Sequence, residues 1–123
     1  MQKLTIIGDL PSMNEIINTN RTNRYAGASK KKSATELVAL YAKTQLKEIK
    51  NKVDLEVTWF CENRRKDKDN IASGLKFILD GVQMAGKLKN DGWNEIGDIH
   101  HFFKVDKVCP RVEVVFRETN DDR

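Results

Sequence analysis

Two aspartates stand two positions apart among basic residues near the middle of the chain. Asp67 and Asp69 lie within RRKDKDN, residues 64–70, and a third aspartate, Asp91, precedes Gly92. Mg²⁺ prefers oxygen ligands, and it usually binds few protein carboxylates while keeping waters and substrate phosphate. Carboxylates set among cations are therefore what a metal-dependent enzyme acting on a phosphate backbone would need.

The residues after Asp69 have the spacing of an amphipathic helix that ends at Gly86. At about 100° per residue, Ser73, Lys76 and Asp80 fall on the same side as Asp69. A lysine there would stabilise charge at a reacting phosphate. The apolar residues gather on the opposite side: Ile71, Leu75, Ile78, Leu79 and Val82.

The same residues also have ordinary structural interpretations. Asp69 would be a helix N-cap, Lys76 and Asp80 an i,i+4 ion pair, and Asp91 a turn residue in Asn-Asp-Gly. The residue types and their spacing leave both interpretations open.

Length and composition predict one soluble domain covering residues 1–123. The chain is 39% hydrophobic and 33% charged, and its net charge of +4 favours a polyanionic partner modestly. No apolar stretch is long enough to span a membrane, and the N-terminus does not resemble a signal peptide. Cys61 and Cys109 lie far apart without CxxC spacing, which predicts reduced thiols in a cytoplasmic protein.

The pattern of the whole chain predicts a two-layer α/β (α+β) fold in the order β-α-β-α-β-β, with a mixed sheet and helices on one face. A capping box of Ser33 and Glu36 predicts that the first helix begins there and runs to about Asn51. The last two strands are close enough to form an antiparallel hairpin, and residues 118–123 should fray. The predicted strands are residues 2–8, Val53–Cys61, Ile96–Val105 and Arg111–Arg117.

Residues 9–33 lack clear periodicity and are predicted to form a basic loop. One interpretation is a mobile surface loop. The other is a basic arm that follows a phosphate backbone, with Tyr25 available to stack on a base. The cations of this segment are Arg21, Arg24, Lys30, Lys31 and Lys32.

The stretch Arg64–Asp91 resembles the RusA family of Holliday-junction resolvases, which are homodimeric endonucleases. The matching segments are RRKDKDN, KFILDGVQMAG and the ND that precedes a strand. LPSMN, residues 10–14, resembles the opening turn of the family, so the resemblance spans nearly the whole chain.

This resemblance implies that Asp67, Asp69 and Asp91 bind the catalytic Mg²⁺ or Mn²⁺ and that Lys76 is required for cleavage. Asn70 and Asp80 match further positions of the motif. The chain departs from the family in three places, one of which is that a single proline remains in the N-terminal turn. The gap between Asn70 and Lys76 is longer by about one helical turn, which puts Ser73 at the position of the lysine in an ungapped match, and Asn90 replaces a frequent acid.

The sequence thus leads us to expect a metal-dependent endodeoxyribonuclease. It would resolve four-way or branched DNA by paired nicks in recombination and repair, as a symmetric homodimer. The alternatives are a non-catalytic basic DNA-binding module and a small nucleotide phosphohydrolase. A zinc cluster of His100, His101 and Cys109 is disfavoured because adjacent strand residues face opposite ways. The expected backbone contacts are Arg21, Arg24, Lys30, Lys31, Lys32, Arg64, Arg65, Lys66 and Lys68.

Overall fold

Four strands and four helices build the fold in a computed structural model that describes residues 1–119. The two-layer α/β architecture with a mixed sheet is confirmed, and the helices cover one face. In chain order the elements are β1 (Gln2–Ile7), α1 (Met13–Thr22), α2 (Arg24–Gln45), β2 (Val53–Cys61), α3 (Lys68–Ala72), α4 (Leu75–Met84), β3 (Ile96–Val105) and β4 (Arg111–Glu118).

The four strands lie in the order β1-β4-β2-β3, with β2 parallel to β3 and β4 antiparallel to both β1 and β2. The predicted hairpin of β3 and β4 is wrong, because β2 lies between them. The amide of Asp106 donates to the carbonyl of Cys61 at 2.8 Å, so the connection after β3 crosses the end of β2. β4 is a central strand between β1 and β2, and Val112, Val114 and Phe116 alternate along its buried face.

The core lies between the helices and one face of the sheet. Val57 and Phe116 of the sheet are buried in the same cluster as Val38 of α2 and Ile78 of α4. The two helices pack closely at Gly81, where a Cβ atom would lie 2.5 Å from the Cβ of Val38. The apolar side that was predicted for the helix after Asp69 is therefore the side that faces the core.

The predicted loop over residues 9–33 is wrong, because α1 and the first half of α2 occupy it. The Ser12 hydroxyl accepts from the amide of Glu15 and begins α1, while the Asn23 side chain accepts from the amides of Tyr25 and Ala26 and begins α2. The signal was available in Ser12-x-x-Glu15, a capping-box spacing, and in the alanine-rich run of α2. Lack of amphipathic periodicity did not prevent helix formation.

The start and end of the first predicted helix also need correction. Ser33 lies inside α2 rather than at its N-cap, and the helix ends at Gln45 instead of Asn51. The cap at Leu46 has extended backbone angles, and its amide closes the last turn on the carbonyl of Ala42. The capping-box motif at Ser33 and Glu36 arose inside a longer helix whose true N-cap is Asn23.

The helix predicted from Asp69 to Gly86 is divided into α3 and α4 at Ser73 and Gly74. Gly74 is buried against the indole of Trp59, where a Cβ atom would lie 3.1 Å from the ring. The turn is tightened by i→i+3 bonds, from the amide of Gly74 to Ile71 and from that of Phe77 to Gly74. A uniform 100° step from Asp69 therefore does not hold across the whole segment.

The chain remains ordered one residue beyond β4. Glu118 ends that strand, and the amide of Thr119 donates to the carbonyl of Lys52 at 2.9 Å, so the predicted frayed tail begins too early. The rest of that predicted tail, residues 120–123, lies outside the described residues. Between residues 1 and 119, no helix is long and apolar enough to cross a membrane.

Candidate nucleic-acid interface

A cationic cleft opens at the carboxyl end of β2. It consists of two adjoining cavities of about 400 and 180 Å³. Both cavities are lined by Cys61, Asn63, Lys66 and Ile71, so they form one continuous feature, here called the cleft. The expected DNA-binding residues of the central stretch therefore surround a concave surface.

The larger cavity has a cationic rim and an apolar floor. Phe103, Val105 and Ile71 supply the apolar contacts, and no carboxylate among the described residues lines this cavity. In the smaller cavity Asp9 and Glu62 accompany the cations. The concentration of positive charge is therefore greatest in the larger cavity, whose rim is formed by Arg64, Lys66, Lys68 and Lys104.

The loop between β2 and α3 places these side chains. The carboxamide oxygen of Asn63 accepts from the amide of Arg65 at 3.0 Å, which turns the chain directly after the strand. α3 then begins at Lys68, whose ammonium lies 5.5 Å from the centroid of the Phe103 ring. A cation over an aromatic face is attracted by the ring quadrupole, and this contact ties α3 to β3.

The Phe60 ring, on the open face of the sheet, contacts two cations, Lys104 of the rim and Arg111. The guanidinium of Arg111 lies 3.7 Å from its ring centroid, and the ammonium of Lys104 lies at 5.8 Å. Arg111 is held by Asp106 at 2.8 Å and Glu113 at 2.7 Å. The hydrogen bond from Arg111 lowers the pKa of Asp106, and those to Glu113 and Asp106 raise the pKa of Arg111.

Glu15 joins the basic helices to the cleft. Its carboxylate forms an ion pair with Lys66 of the cleft and lies 3.8 Å from the ammonium of Lys30 on α2. One acidic side chain thus holds two of the predicted phosphate-binding lysines. A bound polyanion would compete with Glu15 for both.

The other predicted backbone contacts lie on helices rather than on a flexible arm. Arg21 is in the last turn of α1, Arg24 is the first residue of α2, and Lys31 and Lys32 are exposed on α2. Tyr25 is 85% exposed, which suits the predicted stacking role. Residues that follow a helix surface are fixed relative to the cleft.

Asp67 and Asp69 lie at the start of α3, immediately beside the cleft. Both are exposed, and Asp67 occupies the N-cap position without a side-chain capping bond. The Asp69 carboxylate accepts from the amide of Asn70 at 2.8 Å. The two carboxylates therefore lie next to Lys66 and Lys68 in the chain and face solvent.

Lys76 and Asp80 form an i,i+4 pair on α4, with 3.2 Å between the ammonium and the carboxylate. The lysine side chain is 54% exposed, so the pair is worth about 0.3–0.5 kcal/mol. This contact matches the ordinary structural interpretation of both residues. Ser73 stands at the junction of α3 and α4.

Asp91 lies toward the opposite end of the sheet from Asp67 and Asp69. It follows α4, which returns the chain to the start of β2, where the amide of Val53 donates to the carbonyl of Glu95 at 3.0 Å. The nine residues of β2 separate this end from the cleft by about 26 Å. The amide of Asp91 donates to the Asn90 side chain at 2.9 Å, as in a turn.

A single chain thus does not bring the three predicted metal ligands together. Within residues 1–119, no three His, Cys, Asp or Glu side chains form a group that could hold a metal ion. His101 instead accepts a hydrogen bond from Trp59, and Cys61 and Cys109 are free thiols. Burial, with a smaller effect of Asp9, raises the pKa of the Cys61 thiol against the opposing effect of Lys66.

Sequence reasoning missed Lys104 and Arg111 as members of the cationic surface. Each is a single charged residue in a strand, and no local motif marks it. Both reach the cleft because β3 and β4 flank the end of β2. A cationic rim over an apolar floor is typical of a surface that binds a polyanion.

No model of a known protein family matches the chain, and no curated protein matches it.

Proposed function

We propose that this protein binds nucleic acid through the cleft, with four-way or branched DNA as its substrate. The observation that carries the proposal is the larger cavity, where four cations converge and none of the described residues that line it is a carboxylate. Lys and Arg side chains that neutralise phosphates release condensed counterions, which drives binding. The exposed cations on α1 and α2 extend the same charge beyond the cleft.

Fluorescence anisotropy with a labelled four-way junction and a matched linear duplex tests this proposal. We expect binding that weakens steeply with salt. Arg64→Gln and Lys68→Gln should each weaken binding and reduce the salt slope by about one. Lys50→Gln is the matched control, because Lys50 is exposed near the opposite end of the sheet, next to Ile49, whose amide donates to Lys87.

Equal losses for Lys50→Gln and for the two cleft variants would mean that net charge alone drives binding. In that case the cleft would not be the binding surface. A junction affinity no greater than the duplex affinity would mean that the protein binds DNA without a preference for branched substrates.

Metal-dependent nuclease activity is a second candidate, favoured by the position of Asp67 and Asp69 beside Lys66 and Lys68. Mg²⁺ is commonly bound by one or two carboxylates together with substrate phosphates, so this exposed pair suits it when DNA is present. The resemblance of Arg64–Asp91 to the RusA resolvases supports the same activity, with Mn²⁺ as the other metal. A three-aspartate centre would need Asp91 from a second copy of the chain.

Junction cleavage with and without Mg²⁺ or Mn²⁺ separates the two candidates. Asp69→Asn should abolish nicking and preserve junction binding, whereas Glu48→Gln, a loss of one exposed carboxylate elsewhere, should change neither. Cleavage by Asp69→Asn at the parent rate would rule out its role at the metal. Absence of cleavage by the parent protein in both metals would leave a non-catalytic DNA-binding module, and hydrolysis of free nucleotides would indicate a phosphohydrolase.

A further inference from the structure

The two edge strands of the sheet, β1 and β3, differ in how far other parts of the chain cover them. At the β1 edge, the Gln45 side chain accepts from the amide of Thr5 at 2.7 Å and donates to its carbonyl at 2.9 Å. Gln2 forms similar bonds with the backbone of Lys47. The backbone of Thr5 at this edge is therefore paired with a side chain, and the Gln2 side chain ties the start of β1 to the segment after α2.

The β3 edge has no comparable cover in the described structure. This strand is ten residues long, and its one extensive contact with another element is with β2. Ile99, Phe102 and Val105 are all exposed. A long, apolar, uncovered edge strand pairs readily with another strand, and native proteins normally block such an edge.

We propose that β3 pairs antiparallel with β3 of a second copy of this chain, about a two-fold axis at His101. Each sheet would then continue into the other, and the interface would be isologous. The sequence IGDIHHFFKV is self-complementary in this register. Ile99 faces Phe103 of the second copy on the helix-covered side.

Charge favours this register over its neighbours. Asp98 stands opposite Lys104 of the second copy, and the symmetry repeats that pair on the other side of the axis. A slip of two residues in either direction puts Asp98 opposite Phe102 or opposite Asp106 instead. Opposite charges directly across an antiparallel pair are favourable, and like charges are unfavourable.

This pairing sets the distance between the two clefts, and the use of that distance rests on the proposed function, the binding of nucleic acid in each cleft. The two Lys104 residues, each at the rim of a cleft, would lie about 20 Å apart along the strands. Both clefts would lie on the same side of the joined sheet. The antiparallel arrangement also carries the start of β3 of the second copy, which follows Asp91, toward the end of the sheet that holds the cleft.

The interface can be tested without nucleic acid or metal, so its failure is distinguishable from failure of the proposed function. We expect the wild-type protein to be dimeric in sedimentation equilibrium. K104E sets two carboxylates opposite each other at both contacts, and D98K sets two ammonium groups there. Each variant alone should dimerise roughly tenfold more weakly, because two contacts per interface become repulsive.

Mixing the two variants provides the decisive measurement. A heterodimer of D98K with K104E restores opposite charges at both contacts, and native mass spectrometry distinguishes it from either homodimer by mass. Its preferential formation supports the register and shows that both variants are folded. A wild-type protein that is monomeric throughout the micromolar range, or a dimer unchanged by both substitutions, would overturn the proposal.

Discussion

The indole Nε1–H of Trp59 donates to Nδ1 of His101 at 2.9 Å and joins β2 to β3 beneath the cleft. The His101 ring also stacks between Trp59 and Phe103, with centroid distances of 6.1 and 6.3 Å. Nδ1 accepts this bond only when it carries no proton. Burial lowers the pKa of His101, so the neutral ring is the form that suits the fold.

Stability should therefore fall as the pH drops below about 6.5, the ordinary pKa of histidine. The unfolded chain takes up the proton there, whereas folded His101 resists it, so protonation favours unfolding. Urea unfolding between pH 7 and pH 5, followed by tryptophan fluorescence, measures the effect. His101→Gln should lose this part of the pH dependence, and His100→Gln, at an exposed neighbouring position, should retain it.

Gly81→Ala should destabilise the protein by about 1–3 kcal/mol, because overpacking forces displacement of neighbouring groups. The added methyl would meet the Cβ of Val38 at 2.5 Å and the carbonyl of Thr35 at 2.8 Å. Chemical denaturation measures the loss. Met84→Ala on the exposed side of the same helix should stay within about 0.5 kcal/mol of the parent, and equal effects of both changes would contradict close packing at Gly81.

Glu15→Gln should increase affinity for a DNA duplex or junction several-fold at low salt. It releases Lys66 and Lys30 from their shared carboxylate, so both become available to phosphate. The salt slope of binding should steepen. Glu48→Gln changes the net charge equally without freeing a cleft lysine, and an equal gain for that variant would assign the effect to charge alone.

Asp106→Asn should lower the Tm, because it weakens the connection that crosses the end of β2. The Asp106 carboxylate accepts from the amides of Val108 and Cys109 and pairs with Arg111. The pKa of Asp106 is lowered in the folded protein. The stabilisation is therefore full above about pH 3.8, the ordinary pKa of aspartate, and it is lost as the pH falls further. Thermal unfolding at pH 7 and pH 3 measures the effect, and the Tm of Asp106→Asn should fall less between these two pH values than the Tm of the parent. Asp80→Asn is the control.

The sequence determined the strands and the buried sides of the elements by itself. Alternation of apolar and polar residues placed β2 at the residues where it is found, since one face of that strand is buried and the other is half-buried. The β-prone composition of residues 96–105 placed β3, which is mostly exposed. The run from Ile78 to Leu88 likewise identified core residues. The charge density of residues 64–68 pointed to the cleft, because these cations follow one strand and cannot disperse far from it.

Only the tertiary structure decided how these elements meet. Strand order depends on pairings between distant residues, so no local pattern showed that β4 lies between β1 and β2 or that Lys104 and Arg111 reach the cleft. The break before α4 arises from the packing of Gly74 on Trp59. Asp91 lies about one strand length from Asp67 because α4 returns the chain to the start of β2 before β3 begins.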